Sequence, residues 1–309
     1  MNEQQHVPVL LNEAQMAMQI KPDGIYIDCT YGRGGHSQAF LSQLSAQGRL
    51  FVLDQDPTAI CDAKEKLSAD KRVKIFHQNF GHLQSLGIEE DICGKVDGIF
   101  FDLGVSSPQL DNAKRGFSFN HDGPLDMRMN TSQGQTAAEW LDSITAPELF
   151  NTLKEFGEER YAKKIANRIL SVHKEKAICT TRQLAEIVKD CYPKNYQGIH
   201  PATRTFQAIR IALNNEFEAL KKGLASSFEL LAIHGRLIVI SFHSLEDRIV
   251  KRFIRNTKGE NKLPKLPIPH QAEIYLKEIQ KLVRATEQEI NINPRSRSAK
   301  MRIAEKVMQ

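Results

Sequence analysis

No stretch of this chain approaches the roughly 18 consecutive apolar residues that a membrane span needs, and its first residues, MNEQQH, lack the charged and apolar regions of a secretory leader. The sequence therefore reads as a soluble, cytoplasmic protein with no membrane contact. Cysteine is scarce as well. The five residues Cys29, Cys61, Cys93, Cys179 and Cys191 are odd in number, widely spaced and never arranged as C-x-x-C. That pattern excludes a disulfide framework and suggests no zinc site, so no metal is expected. What is present is an ordinary globular composition: 309 residues, 41% hydrophobic, enough for a sizeable core in two domains or in one with a large insertion. The net charge of +5 is unevenly spread. Residues 248–309 hold 15 Lys and Arg against six Asp and Glu, so this segment alone is at +9 and the remainder at −4. A basic region beside a mildly acidic body fits contact with a polyanion such as nucleic acid, with a solvated face as the plainer alternative.

Hydrophobic periodicity gives alternating strands and helices. Residues 25–28, 49–53, 72–77 and 96–103 are short apolar runs suited to parallel strands covered on both faces, and 37–44 and 58–67 carry helical stripes. The alternation predicts a Rossmann-like open α/β sheet. Between the first strand and its helix lies Asp28-Cys29-Thr30-Tyr31-Gly32-Arg33-Gly34-Gly35-His36, where glycines remove side chains that would keep backbone from a nucleotide-like ligand. The spacing G-x-G-G is not the G-x-G-x-x-G of a pyrophosphate cradle, so a cofactor without phosphates fits it better, and a structural turn is the alternative. Asp54, closing the second strand, can accept both hydroxyls of an adenosine ribose, while Asp56 caps the helix ahead of Pro57. Phe80 is placed to cover an adenine face or to pack in the core. Asp102 ends the fourth strand beside the crevice where ligands of this architecture bind. Gly104, Ser106, Ser107 and Pro108 then bend the chain and leave Gln109 nearby.

Residues 108–133 have no usable period, and they read as a lid or substrate-facing loop in which Phe117 and Phe119 are candidates to stack a base and Arg115 and Arg128 to meet phosphate, with a surface loop pinned by the two phenylalanines as the plainer alternative. Helical stripes over 137–141, 147–156, 159–173 and 181–191 then predict a small helical domain inserted between strands four and five, with Arg160, Lys163, Lys164 and Arg168 on its wet face. His200 and Arg204 are placed towards the cleft. A long helix over 205–220, with Phe217 and Leu220 inward, and a second helix to 233 lead to a fifth strand at 236–240. Ser244 and Asp247 have the look of a helix cap, and 277–287 and 298–306 supply closing strands around an exposed loop at 264–269. Arg295, Arg297, Lys300 and Arg302 are phosphate-contact candidates.

Six motifs in this order carry a resemblance: D-x-T-x-G-x-G-G-H at 28–36, DLGVSSPQLD at 102–111, RGFSF at 115–119, GPLDMRM at 123–129, HPATRTFQA at 200–208 and SFHSLEDRIVKRF at 241–253. From about His6 to Val307 the chain resembles the bacterial ribosomal RNA small subunit methyltransferase H family. The resemblance implies transfer of a methyl group from S-adenosylmethionine to the exocyclic N4 of a cytidine in the decoding region of small-subunit rRNA, with the rRNA of the assembled or near-assembled 30S particle as the expected partner. It implies cofactor contacts from Gly34, Gly35, His36, Asp54, Phe80, Asp102 and Gln109. Residues 1–133 and 201–309 would then form a discontinuous methyltransferase domain, with 134–200 the inserted substrate-recognition domain. Cytosine's amine has its lone pair delocalised into the ring, so it must be held in line and hydrogen-bonded, on an unpaired or flipped base. Ser106 and Ser107 are the expected acceptors, Phe117 or Phe242 the stacking ring, and His243 a proton acceptor. Two other readings share the sheet or the basic tail: a nicotinamide-dependent oxidoreductase, and a non-catalytic rRNA-binding assembly factor.

Overall fold

The protein is described from a computed structural model covering residues 8–256 and 275–308. The expected exposed loop at 264–269 and the packing of Val7 lie outside the described residues. The chain divides into two compact units, one formed by residues up to Gly104 together with Phe217 onward, the other by Val105–Glu216.

The first unit runs α1 (Leu11–Met18), β1 (Ile25–Asp28), α2 (Gly35–Leu41), β2 (Arg49–Asp54), α3 (Pro57–Leu67), β3 (Val73–His77), α4 (Leu83–Glu89) and β4 (Val96–Asp102). The helical unit then holds α5 (Ser107–Asp111), α6 (Ala137–Ser143), α7 (Ala146–Gly157), α8 (Ala162–Glu175), α9 (Thr181–Lys189) and α10 (Ala202–Leu213). The chain returns through α11 (Glu216–Leu230) to β5 (Leu231–Ser241), α12 (Ser244–Asn256), β6 (Leu276–Val283), α13 (Glu287–Ile292) and β7 (Lys300–Lys306). The seven strands form one Rossmann-like sheet in the order β3-β2-β1-β4-β5-β7-β6. β1 to β5 are parallel, and β7 and β6 close the sheet antiparallel.

The apolar runs are continuous because the sheet is buried on both faces. Tyr26, Leu50, Val52, Phe100, Ile238 and Ile240 pack on one face, and Ile27, Phe51, Leu53, Ile99, Phe101, Leu237 and Val239 on the other. Each such side chain contributes roughly 1.5–3 kcal/mol relative to exposure. In the helical unit, Leu149, Leu153, Ile165, Ile169, Leu184 and Val188 form a separate core. Phe117, Leu125, Met127 and Met129 join that core. This is why the unit begins at Val105 and ends at Glu216, wider than the expected 134–200.

Three local expectations differ from the structure. The helix predicted over 205–220 is two helices, α10 and α11, because Asn214 turns its amide onto the loop: Oδ1 accepts the Met129 N–H (2.7 Å) and Nδ2 donates to the Met127 carbonyl (2.8 Å). Asn215 then takes a left-handed φ of 50°. Arg115 and Arg128 do not project as free phosphate contacts, since Arg115 Nη2 donates to the carbonyls of Arg128 and Met129 and Arg128 clasps Asp126. Arg302 is likewise buried, bonded through Nε to Asp247 (2.6 Å) and through Nη1 to Glu278 (2.9 Å). That leaves Asp247 committed to Arg302. Glu246 and Asp247 lie in the first turn of α12 as expected, and Glu246 Oε2 accepts the Phe242 N–H at 2.9 Å and the His243 N–H at 3.3 Å.

Replacing Asn214 removes the bonds to the Met129 N–H and the Met127 carbonyl. Asn214→Ala should therefore lower the unfolding free energy by about 2 kcal/mol in denaturant melts, with faster hydrogen exchange at the Met129 amide. Unchanged stability and protection would show that the Asn214 bonds do not hold the loop.

Candidate active site

Parallel strands present their carboxyl ends on one side of the sheet, and in the neighbouring β2, β1 and β4 the last residue of each is an aspartate: Asp54, Asp28 and Asp102. Asp28 is fully buried and accepts from Ser37 Oγ (2.6 Å) and the Thr30 N–H (3.0 Å). Burial pushes its carboxyl up to about 6, partly offset by those two bonds. Thr30 Oγ1 in turn accepts the backbone N–H of Asp102 at 2.6 Å, tying the ends of β1 and β4 together. Asp54 accepts the N–H groups of Gly32 and Asp56, each at 2.8 Å, and burial again raises its carboxyl to about 6 against the pull of those donors. Asp56 caps α3 through the Thr58 N–H, as the sequence predicts.

Asp102 is different because little in the fold compensates it. Its Oδ1 is buried with no hydrogen-bond partner, and its Oδ2 lies 3.9 Å from His36 Nδ1. Burial, with the Asp28 and Glu246 carboxylates adding repulsion, pushes the Asp102 carboxyl up to about 8. The His36 ring is itself buried, tilted at 43° against Phe100 with centroids 4.5 Å apart, and its Nε2 donates to the Val9 carbonyl (3.0 Å), so Nδ1 is the atom turned to Asp102.

The glycine loop serves the chain's own packing. A Cβ at Gly34, whose φ is +77°, would lie 2.5 Å from the Tyr31 ring, and one at Gly35 would lie 2.1 Å from Pro8. Gly104 is a different case, with φ at +92° and nothing closer to its missing Cβ than Phe242 at 3.7 Å, so it bends the chain beside open space. Phe80 is half-buried, its ring set edge-on to Phe101 at 5.4 Å. On α12, His243 folds back onto its own helix. Its Nδ1 accepts the Glu246 N–H (3.3 Å), which places the neutral ring's proton on Nε2, 3.1 Å from Glu246 Oε1 but not aligned for a hydrogen bond. No lone pair of the ring is left free to take a proton from a substrate.

Ser106, Ser107, Gln109 and Phe117 belong to the helical unit. Gln109 is buried, and its Oε1 accepts the Ser106 N–H (2.9 Å), closing the first turn of α5. Phe117 is also buried in its unit's core, with the Arg115 guanidinium 5.6 Å over the ring. Phe119 is the more accessible aromatic of that loop, stacked on His200 at 4.3 Å. Sequence reasoning did not single out Asp28, Thr30, Ser37 or Glu246. Only the D-x-T spacing hinted at the first two, and nothing in the order of residues pairs Ser37 with Asp28 or sets Glu246 against Asp102. Among the described residues no group of three or more His, Cys, Asp or Glu is arranged to hold a metal ion, and no helix is long and apolar enough to cross a membrane.

A carboxyl whose folded pKa exceeds its unfolded value stabilises the fold fully only below that unfolded value, near 4, and the contribution is lost as pH rises through the folded value of about 8. Asp102→Asn should consequently change the melting temperature little at about pH 4 and raise it increasingly as pH rises, levelling off above about 8. A uniform shift at every pH would remove the buried charge from the account.

Aspartates closing β1, β2 and β4, an open bend after β4 and a carboxyl with an unsatisfied buried oxygen suit a cationic, ribose-bearing ligand without a pyrophosphate. Comparison with known proteins points the same way. The profile of the MraW methylase family matches residues 3–307. A protein of Alteromonas mediterranea named Ribosomal RNA small subunit methyltransferase H is 51% identical over 315 residues, covering 99% of each chain. One of the same name from Coxiella burnetii is 48% identical over 303 residues, covering 98% of this chain and 99% of its own. Among solved structures, an rRNA methylase from Streptococcus thermophilus aligns over 96% of this chain and 95% of that one, with a TM-score of 0.41 at 12% identity. With a family profile that spans nearly every residue, this chain belongs to the MraW methylase family.

Proposed function

We propose that this protein is an S-adenosylmethionine-dependent rRNA methyltransferase that modifies the N4 amine of a cytidine in the decoding region of the small subunit, acting on the assembled or near-assembled 30S particle in the cytoplasm. The observation that carries the reading is Asp102: a carboxyl at the end of β4 with a buried, unpartnered oxygen, in a chain whose match to a methylase family runs from end to end. That match also favours methyl transfer over the nicotinamide reading, as does a glycine loop packed by Tyr31 and Pro8 instead of opening onto a phosphate cradle.

S-adenosylmethionine supplies an activated methyl group on a positively charged sulfonium. Gly34, Gly35, His36, Asp54, Phe80, Asp102 and Gln109 are the residues that would hold it. Asp54 retains lone pairs for ribose hydroxyls beyond its two loop bonds, and Phe80 offers a ring to adenine. Asp102 supplies negative charge, which a cation would favour in its ionised form. Ser106 and Ser107 are the proposed acceptors for the cytidine amine, orienting its lone pair, with Phe117 or Phe242 against the ring and His243 assisting only once its Nδ1 bond is broken. The helical unit is the proposed substrate-recognition part.

Because binding a cation should lower the Asp102 pKa from about 8, donor affinity should rise by at most about tenfold per pH unit up to that value and then level off. Calorimetry in buffers of different ionisation heat should register the released proton, and a flat pH profile would contradict the assignment. Methyl transfer from labelled donor to subunits lacking the mark, with mass-spectrometric mapping of the product, tests the function itself. A methyl group on another atom or on another RNA would overturn it. Single alanine variants of Ser106, Ser107, Phe117 and His243 should reduce kcat by about tenfold or more at unchanged donor affinity. Normal turnover by all four would remove them from the mechanism.

A further inference from the structure

Most cations in the helical unit that lie near its core are already spent on protein groups, as Arg128 is on Asp126 and Arg210 on Glu216. The outer face of α8 is an exception. Lys163, Lys164 and Arg168 on it, and Arg160 just ahead of it, are exposed, and among the described residues none of the four has an ion-pair partner. Lys164, Asn167 and Arg168 fall on successive turns of one face and line an open pocket of about 490 Å³, completed by Asp190 and Cys191. Two cations and an amide against one carboxylate leave the pocket net positive.

Beside it runs a set of aromatic rings. Lys164 Nζ donates to the Cys191 carbonyl (2.8 Å), and the next residue, Tyr192, has its ring 4.8 Å from Tyr161 and 4.7 Å from Tyr196. The ladder is fixed from below by the buried Glu159, whose Oε2 accepts from the Tyr192 hydroxyl (2.7 Å) and whose Oε1 accepts the Tyr161 N–H (2.9 Å). Arg160 lies 5.7 Å over Tyr161. Tyr196, at the outer end, is 37% exposed. A net-positive pocket beside anchored aromatic rings has the two parts that single-stranded nucleic acid requires, a seat for backbone phosphate and a platform for a base. A duplex would offer its phosphates but keep its base faces stacked.

We propose that the Lys164–Asn167–Arg168 pocket and the Tyr161–Tyr192–Tyr196 ladder form a binding site for single-stranded RNA, seating a phosphodiester between Lys164 and Arg168 and stacking a base on Tyr196. That this RNA is a segment of the rRNA substrate rests on the methyltransferase reading above. The binding site itself does not.

The test uses the full chain and a fluorescent oligouridylate, which contains no cytidine and so cannot occupy a methyl-acceptor pocket. The double variant Lys164→Gln/Arg168→Gln should weaken binding by about tenfold and flatten the dependence of log affinity on log salt by one to two phosphate contacts. Tyr196→Ala should weaken it by about tenfold with an unchanged salt slope, and Tyr196→Trp should restore it. Lys164→Gln gives up the bond to the Cys191 carbonyl and Tyr196→Ala the contact with Tyr192, so melting curves are recorded for each variant, and a cooperative transition within a few degrees of wild type separates lost RNA contact from lost folding. The site is overturned if the variants bind like wild type, if an RNA duplex of the same length binds as tightly as the single strand, or if an acidic peptide competes as well as RNA does. Methyl transfer to subunits, measured alongside, keeps the two readings apart. Residue-dependent oligouridylate binding without methyl transfer would leave the site standing and sink the enzyme reading, while normal methyl transfer with unaltered oligouridylate binding in the variants would do the reverse.

Discussion

An acid that the fold does not neutralise sits at the end of the fourth strand. Asp28 and Asp54 are each given two donors by the loop around them, whereas Asp102 Oδ1 has none, and the nearest charged neighbours that act on it are carboxylates. An unmet buried acceptor costs on the order of 1–3 kcal/mol, more when charged. A chain retains such a group at a strand terminus most readily where a ligand will satisfy it. The rest of the first unit follows from that requirement. The sheet must be covered on both faces to bring three strand ends into register, Thr30 must bind the Asp102 amide to hold β4 against β1, and His36 must be pinned by Val9 so that Nδ1 is turned to the acid.

The glycines of the first loop also have a packing role that the motif alone does not show. Glycine before α2 is expected where backbone must approach a ligand, yet the space at Gly34 and Gly35 is taken by Tyr31 and Pro8. Their smallness lets the loop fold on itself and aim its amides at Asp54. Gly32 N–H does so directly. The loop therefore acts by orienting the carboxylate of the second strand.

The helical unit is held by different means. Four of its helices start with a capping box, Ser106 with Gln109, Thr136 with Glu139, Thr145 with Glu148 and Thr180 with Gln183, so these helices carry their own start signals and the core only has to assemble them. The loop from Val105 is drawn into that core by Phe117 and Met127, and Arg115, Arg128 and Asn214 stitch its carbonyls and amides. A segment so bonded is a built wall. Its remaining polar and aromatic groups are thereby fixed in position, which a site for a flexible polymer needs if ordering costs are to stay small.

Local order determined most of the architecture. The alternating apolar runs set the five parallel strands, the T-x-x-E/Q boxes and the 3.6-residue stripes set the helices around them, and Asp54 and Asp102 were recognisable because a carboxylate closing a strand of a parallel sheet has a known vicinity. Tertiary structure decided what long-range partners each side chain would find, which no periodicity encodes. It broke one predicted helix in two by giving Asn214 a loop to bind, and it turned Arg302 from a surface cation into a buried tie between Asp247 and Glu278. It folded His243 onto Glu246 and drew Phe117 into a core. It also set Asp28 and Glu246 close enough to Asp102 to raise its pKa, although they lie 74 and 144 residues away along the chain. Burial and charge act through space, and only the closed sheet fixes those distances.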